Sequence, residues 1–178
     1  MDSVEFDKKH FVPVAADLSG GLLSVFDRWQ KARANHWAPS WNAYQMESLP
    51  PKVIPWCAVV DVLRDPPDFA YRFWGTERAN LQGQELTGKP LSEFEPAQMA
   101  ELLAEELVQV TESRQPLFFR KRHTPPNGSE LRFESLRVPL SEDGERVTMV
   151  FSVAEVARMT AANYDYFGTE LPIEKGIR

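Results

Sequence analysis

The stretch VIPWCAVVDVLRDPPDFAYRFWG, residues 53–75, contains two apolar runs separated by a turn. Both runs are rich in β-branched and aromatic residues, which is typical of strands. The residues RDPPD between them form a turn cluster that ends the first strand near Arg64. Since a parallel partner would need a crossover of about a dozen residues, the short connection predicts an antiparallel hairpin.

Further strands are predicted toward the end of the chain. The turn-forming clusters PPNGS and SEDGE separate them, so they are expected to form an antiparallel meander. The segments are LFFRKRHT (117–124), ELRFESLRVPL (130–140) and RVTMVFSVAEV (146–156). With the hairpin they complete a predicted five-stranded antiparallel sheet.

Helices are predicted on both sides of the hairpin in the sequence. The most regular apolar stripe lies in PAQMAELLAEELVQVTES (96–113), which predicts one long helix. Thr76 can cap a short helix that ends at Gly83. Upstream, the spacing of apolar residues predicts a helix over 19–36, followed by a short one over 40–46.

The order of these elements predicts an α+β fold. A five-stranded antiparallel sheet is flanked by short helices and one long helix, and is preceded by an N-terminal helical extension. We expect the extension to cover residues 1–52, the sheet domain 53–156 and a C-terminal tail 157–178. The length of 178 residues suits one compact domain with such an extension.

Charge and cysteine content exclude several function classes. Twenty Lys and Arg against 26 Asp and Glu give a net charge of −6, which does not favour nucleic-acid binding. Cys57 is the single cysteine, so an internal disulfide or a multi-thiolate metal site is excluded. No signal peptide or membrane-spanning stretch is visible in the sequence. We therefore expect a soluble, cytoplasmic protein that does not bind membranes.

The stretch GQELTGKP, residues 83–90, matches most of a phosphate-binding loop pattern. The full pattern needs Ser or Thr after the lysine to hold magnesium, whereas this chain has Pro90. Proline offers neither a hydroxyl group nor a backbone N–H to an anion. The sequence therefore favours an ordinary turn in which Gly83 and Gly88 have positive φ.

A set of short motifs resembles the PAS domain superfamily, and specifically a branch of short bacterial single-domain PAS-like proteins. The motifs occur in the order found in that branch, and they span residues from about Trp29 to Val156. They are Asp27-Arg28-Trp29, Leu49-Pro50, Asp61-Val62, Tyr71-Arg72, Gly75-Thr76, Gly83, Leu86-Thr87-Gly88-Lys89, Leu91, Pro139-Leu140-Ser141 and Asp143-Gly144.

The resemblance implies a non-enzymatic sensory or protein-interaction module in bacterial signalling. In this superfamily the sheet and its short helices can enclose a small molecule, here expected to be apolar or aromatic. The chain departs from the flavin-photosensor branch because Cys57 lies in a predicted buried strand rather than in a polar loop. The long helix contains no histidine, so a haem ligand from it is not supported. The cofactor, if any, is unknown from the sequence.

The resemblance and the apolar pattern together suggest the residues of a ligand site. Side chains of the second strand, the short helices and the neighbouring elements could line a cavity, although they could equally fill that space themselves. The candidates are Trp74, Leu81, Leu86, Phe94, Leu103, Phe118 and Met149. Strand parity is uncertain by one residue, so Phe119 and Val150 are the alternatives on their strands.

Charged residues supply the remaining candidates. Arg72 within an aromatic strand is expected to pair with Asp61 or Glu134, or to hold an anionic ligand. The basic run at 120–123, with Arg114 and Arg132, is the basis of an alternative nucleic-acid function. A second alternative is a small α+β enzyme that uses a buried carboxylate such as Asp61.

Catalytic and metal motifs are otherwise absent from the sequence. His10, His36 and His123 are scattered and lack partners at metal-ligand spacing. The tail 157–178 has no room for a kinase or DNA-binding motif, so signalling would require a protein partner. Leu22, Phe26 and Trp29 form an apolar stripe, which predicts a homodimer through the N-terminal helix.

Overall fold

The protein is described by a computed structural model over residues 7–65, 67–123 and 131–155. Six strands form one antiparallel sheet in the order β1-β4-β5-β6-β2-β3. The strands are β1 (Asp7–Phe11), β2 (Cys57–Arg64), β3 (Pro67–Trp74), β4 (Leu117–His123), β5 (Leu131–Leu140) and β6 (Met149–Glu155). The predicted α+β class, the β2–β3 hairpin and the β4–β5–β6 meander are thereby confirmed.

The four α-helices lie close to their predicted positions. They are α1 (Gly20–Arg33), α2 (Trp41–Tyr44), α3 (Thr76–Gln82) and α4 (Ala97–Ser113). Short 3-10 helices occupy Ala15–Asp17, Met46–Ser48, Ile54–Trp56 and Leu91–Glu93. The first predicted strand therefore begins at Cys57 rather than at Val53, because the chain makes a helical turn around Pro55. No helix in the described parts of the chain is long and apolar enough to cross a bilayer.

The N-terminal extension differs from its purely helical prediction. Residues 7–11 form β1, which pairs antiparallel with β4 and adds a sixth strand to the sheet. The segment DKKHF is short and mostly charged, so its composition alone does not predict a strand. The segment is a strand because its backbone pairs with β4. The expected tail at 157–178 lies outside the described residues.

Both faces of the sheet are covered by other elements. Helices α1 and α2 cover one face and enclose what we call the α1 core, which includes Leu22, Val25, Phe26, Trp29, Tyr44, Leu136 and Phe151. Helix α4 and the segment after α3 cover the other face. They enclose the α4 core, which includes Val60, Tyr71, Trp74, Leu86, Leu91, Phe94, Leu107, Val110 and Phe119.

The apolar stripe of α1 is used within its own chain. Leu22, Phe26 and Trp29 are buried against the sheet, and the Trp29 indole N–H donates to the Pro139 carbonyl over 2.7 Å. The stripe on which the sequence based its homodimer is therefore not an exposed surface. A homodimer remains a prediction, but it needs another contact.

Candidate ligand site between the sheet and helices α3 and α4

The stretch that resembles a phosphate loop instead closes the free edge of β3. The Gly88 amide donates to the Tyr71 carbonyl over 2.7 Å, and the Tyr71 amide donates to the Lys89 carbonyl over 2.8 Å. The Trp74 amide donates to the Thr87 hydroxyl, and the Trp74 indole N–H donates to the Gln84 carbonyl. These contacts hold Trp74 beneath the segment and protect the strand edge from pairing with another chain.

Five of the predicted site residues lie on the side of the sheet that α4 covers, or in α3 and α4. Trp74, Leu86 and Phe94 are buried together in the α4 core, and Leu103 packs against that core from α4. Leu81 is buried within α3. The Trp74 ring makes edge contacts with Tyr71 at 4.8 Å and with Phe94 at 6.0 Å between ring centroids. The structure therefore brings most of the predicted apolar set together.

Phe118 and Met149 lie on the opposite face, in the α1 core. Their chain neighbours Phe119 and Val150 belong to the α4 core instead. Successive side chains of a strand point to opposite faces, so an error of one residue in the predicted parity moves each side chain across the sheet. The predicted placement of Phe118 and Met149 on the same side of the sheet as Trp74 is therefore wrong. The alternatives Phe119 and Val150 lie on that side.

Arg72 points away from both cores. Its Nε and Nη2 atoms lie 2.9 Å from Oδ1 of Asp61 on the neighbouring strand, and its side chain is 46% exposed. The predicted pairing with Asp61 is confirmed, while Glu134 pairs with Arg120. The Asp61 carboxylate is 30% exposed, so it does not occupy the apolar pocket that the enzyme alternative requires.

The sequence analysis missed a charged cluster inside the α4 core. Glu106 from α4 is fully buried, and its Oε2 accepts from Nε and Nη2 of Arg137 at 3.0 and 2.6 Å. Lys121 Nζ lies 2.5 Å from Glu106 Oε1, and Arg137 Nη1 donates to the Ser152 hydroxyl over 2.8 Å. The Glu106 carboxylate thus joins α4 to β4 and β5, and Arg137 extends the cluster to β6.

The pKa of Glu106 reflects competition between burial and charge. Burial on its own raises the pKa of a carboxyl group, but the charges of Arg137 and Lys121 and their hydrogen bonds outweigh it. The pKa of Glu106 is therefore held below its ordinary value. Glu106 remains ionised at neutral pH and keeps Arg137 in place.

The helical spacing of Glu106 was the signal that could have identified it. It lies three residues after Leu103 and four before Val110, so it falls on the apolar stripe of α4. A charge at such a position needs a buried partner. Arg137 shows no comparable signal, because both faces of its strand are buried and inward and outward positions look alike.

Arg78 of α3 lies at the same end of the sheet as Trp74. Its Nε donates to the Trp56 carbonyl over 2.7 Å, and its guanidinium carbon lies 5.4 Å from the centroid of the Trp74 ring. Its Nη2 atom is buried and has no hydrogen-bond partner among the described residues. Burial and then the charge of Arg137 lower the pKa of Arg78 to about 10, so it stays cationic at neutral pH.

Burial also removes Cys57 from consideration as a reactive group. Its thiol is fully buried in β2 and donates to the Val53 carbonyl at 3.3 Å. Burial raises the pKa of this thiol to about 12, so almost no thiolate exists at neutral pH. Within the described ranges, no group of three or more metal-ligating side chains occurs.

In the basic run on β4, the two side chains that the structure describes are both paired. Arg120 contacts Glu134 and Lys121 contacts Glu106, whereas Arg114 lies over the Trp37 ring at 4.0 Å. The side chains of residues 122, 123 and 132 lie outside those that the structure describes. The described part of the run offers few free cations to a nucleic-acid backbone, so nothing here adds to that alternative.

Comparison with known proteins agrees with this architecture. A family model for the PAS fold matches residues 67–160, which is just over half of the 178 residues. No curated protein matches the chain significantly.

Solved structures show only weak likeness. A PAS domain from Colwellia psychrerythraea is 16% identical, with 56% of this chain and 85% of that chain covered and a TM-score of 0.38. A light-oxygen-voltage domain studied with a flavin analogue is 13% identical, with coverages of 67% and 87% and a TM-score of 0.40. An RNA-binding light-oxygen-voltage receptor is 13% identical, with coverages of 96% and 44% and a TM-score of 0.46.

Likeness at this level transfers no ligand or partner from those proteins to this chain. The family match rests on the sequence of β3 through β6, the same region in which the helices close over one face of the antiparallel sheet. By that match, the chain belongs to the PAS fold family.

Proposed function

We propose that this protein is a non-enzymatic sensory and protein-interaction module in bacterial signalling. PAS domains are sensory signalling modules, and the family match covers β3 to β6 together with α3 and α4, which form most of the α4 core. A small apolar or aromatic ligand would bind between that face and helices α3 and α4. Its binding would change how the module associates with a signalling partner.

The observation that carries the proposal is the mixed chemistry of the α4 core. Aromatic rings of Tyr71, Trp74 and Phe94 lie in the same core as the ion pair of Glu106 with Arg137. Small-molecule sites in proteins are mostly apolar, with a few fixed polar groups that orient the ligand. A core that served only packing would not need a charged group that is costly to bury.

Ligand binding can be tested on the purified protein. We expect native mass spectrometry to show a bound small molecule, or a metabolite screen to identify a compound that raises the melting temperature of the protein. Leu103→Trp adds bulk beside the α4 core and should abolish the response. Val108→Trp is the matched control, because Val108 lies on the same helix and is 41% exposed. The absence of any bound mass and of any thermal shift across the screen would remove the small-ligand function.

The homodimer is proposed at a different surface from α1. Phe11, Val12 and Val14 are 38, 52 and 63% exposed and follow one another along the N-terminal segment. Adjacent exposed apolar side chains favour association. We expect light scattering to give a dimer mass that Val12→Asp together with Val14→Asp reduces to that of a monomer. A wild-type mass that stays monomeric at all concentrations would contradict the homodimer.

A further inference from the structure

Arg78 has hydrogen-bonding capacity that the described residues leave unused. Among the residues that the structure describes, its Nε donates to the Trp56 carbonyl and the buried Nη2 has no partner. Leaving a buried charged donor unsatisfied costs more free energy than leaving a neutral donor unsatisfied. Buried polar groups without partners are uncommon in folded proteins, and each one calls for a physical explanation.

The charges around Arg78 favour an anion. The ionisable groups that act on it are Arg137, Cys57, Tyr71 and Glu106. Cys57 and Tyr71 are neutral, because burial raises the pKa of each to about 12. Glu106 is already shared between Arg137 and Lys121. Three cations therefore face one carboxylate among these side chains, and a further negative charge would be stabilised there.

The surroundings of the guanidinium group limit the kind of anion. One of its faces lies over the Trp74 ring, and Trp74 in turn contacts Tyr71 and Phe94 at its edges. An aromatic group can pack against such rings in edge-to-face geometry. A planar carboxylate matches the free N–H groups of a guanidinium and carries one charge, which balances that of Arg78.

We propose that Arg78 binds the carboxylate of a small aromatic acid whose ring packs beside Trp74. This inference rests on the proposed ligand-binding function and specifies the chemical class of the ligand. Binding would give Nη2 the partner that it lacks, and it would connect α3 to the sheet through the ligand. Ligand binding would thereby change how firmly α3 is held against the sheet.

The test uses three probes on the full chain, with binding measured by tryptophan fluorescence and by the shift of the Trp74 indole ¹⁵N signal. Phenylacetate carries the ring and the carboxylate, phenylacetamide is its neutral analogue, and inorganic phosphate is an anion without a ring. We expect phenylacetate to bind at least tenfold more tightly than either of the other probes.

Substitution of Arg78 supplies the second part of the test. Arg78→Met should weaken phenylacetate binding at least tenfold, and its melting temperature is measured in parallel because the substitution also removes the hydrogen bond of Nε to the Trp56 carbonyl. Arg78→Lys should weaken binding less, since it keeps the charge but loses the planar donor. Arg72→Met is the matched control, because Arg72 is exposed and paired with Asp61, and it should leave binding unchanged.

The outcomes separate this inference from the function on which it rests. Equal binding of phenylacetate and phenylacetamide would overturn the role of the carboxylate and leave a ligand site in place. Binding of phosphate as tight as that of phenylacetate would overturn the role of the aromatic ring in recognition. Failure of phenylacetate to bind, or unchanged binding to Arg78→Met, would overturn the inference, whereas the metabolite screen alone decides the proposed function.

Discussion

At the scale of single residues, Glu106 is a fully buried carboxylate held by two cations. Transferring a carboxylate into a protein interior costs several kcal/mol, and its attraction to buried partners must offset that cost. Arg137 and Lys121 provide the attraction, and both oxygens of Glu106 lie within 3.0 Å of their nitrogens. Removal of Glu106 would leave Arg137 as an uncompensated buried charge.

Gly75 is constrained by space rather than by its backbone angles. Its φ is −65°, which any residue adopts, but a Cβ there would overlap the Pro55 carbonyl and lie 2.8 Å from the Cys57 carbonyl oxygen. We expect Gly75→Ala to lower the free energy of unfolding by more than ~2 kcal/mol, because the clash is with backbone that cannot rotate away. Urea unfolding followed by tryptophan fluorescence measures this loss.

Gly144→Ala is the control for that substitution. Gly144 has a φ of +73° with open space around the added Cβ, so its substitution should cost only the ~1–2 kcal/mol of the left-handed conformation. If Gly75→Ala were no more destabilising than Gly144→Ala, the steric explanation would be wrong.

At the scale of elements, α1 acts as part of the core rather than as an appendage. Its buried side chains contact β5 and β6, and its Trp29 is hydrogen-bonded to Pro139. The opposite face of the helix is exposed and polar. The stability of the sheet on that face therefore depends on the N-terminal segment.

Leu22→Ala tests this dependence, since Leu22 is 1% exposed in the α1 core. We expect the substitution to lower the free energy of unfolding by about 2–5 kcal/mol, the range for leucine truncation in a packed core. Gln30→Ala, on the exposed face of the same helix, should change it by less than about 0.5 kcal/mol. Equal effects of the two substitutions in urea unfolding would show that α1 does not pack as described.

At the scale of the whole molecule, the sheet separates two cores with different chemistry. The α1 core is almost entirely apolar, whereas the α4 core contains Glu106, Arg137 and Ser152. Titratable groups are buried in both, since Cys57 belongs to the α1 core and Glu106 lies on the other side. The stability of the protein should therefore depend on pH at both ends of the scale.

We expect stability to be highest between about pH 5 and pH 9. The folded pKa of Glu106 is depressed, so its contribution is present above the unfolded value of 4.5 and is lost as the pH falls through the folded value. The pKa of Cys57 is raised from 9.0 to about 12, so stability falls as the pH rises between these values. Unfolding in urea across the pH range measures both limbs.

Two substitutions test which residue causes the loss of stability at acid pH and which causes the loss at alkaline pH. Glu106→Gln should destabilise the protein by about 3–5 kcal/mol at pH 7 and flatten the acid limb. Cys57→Ala should reduce the fall in stability between pH 9 and 12, to which Tyr71 also contributes, and leave the acid limb unchanged. An acid limb that persists in Glu106→Gln would assign it to other carboxylates.

The pattern of the sequence by itself determined the antiparallel sheet, the long helix and the family. Periodicity and turn residues are local properties, and they fix where β2 to β6, α3 and α4 lie to within a few residues. The same reasoning grouped Trp74, Leu86 and Phe94, which the structure buries together in the α4 core, because they are apolar residues next to predicted strand and helix ends.

Only the tertiary structure decided the rest, because the deciding contacts join residues distant in the chain. The segment DKKHF is a strand because it pairs with β4. Phe118 and Met149 lie on the face opposite Trp74, because a shift of one residue along a strand moves a side chain to the other face. Glu106 and Arg137 are 31 residues apart, so their pairing inside the α4 core follows from the packing of α4 on the sheet. The spacing of Glu106 on α4 indicates its burial, but its charged partners depend on three-dimensional neighbours, and no local pattern specifies them.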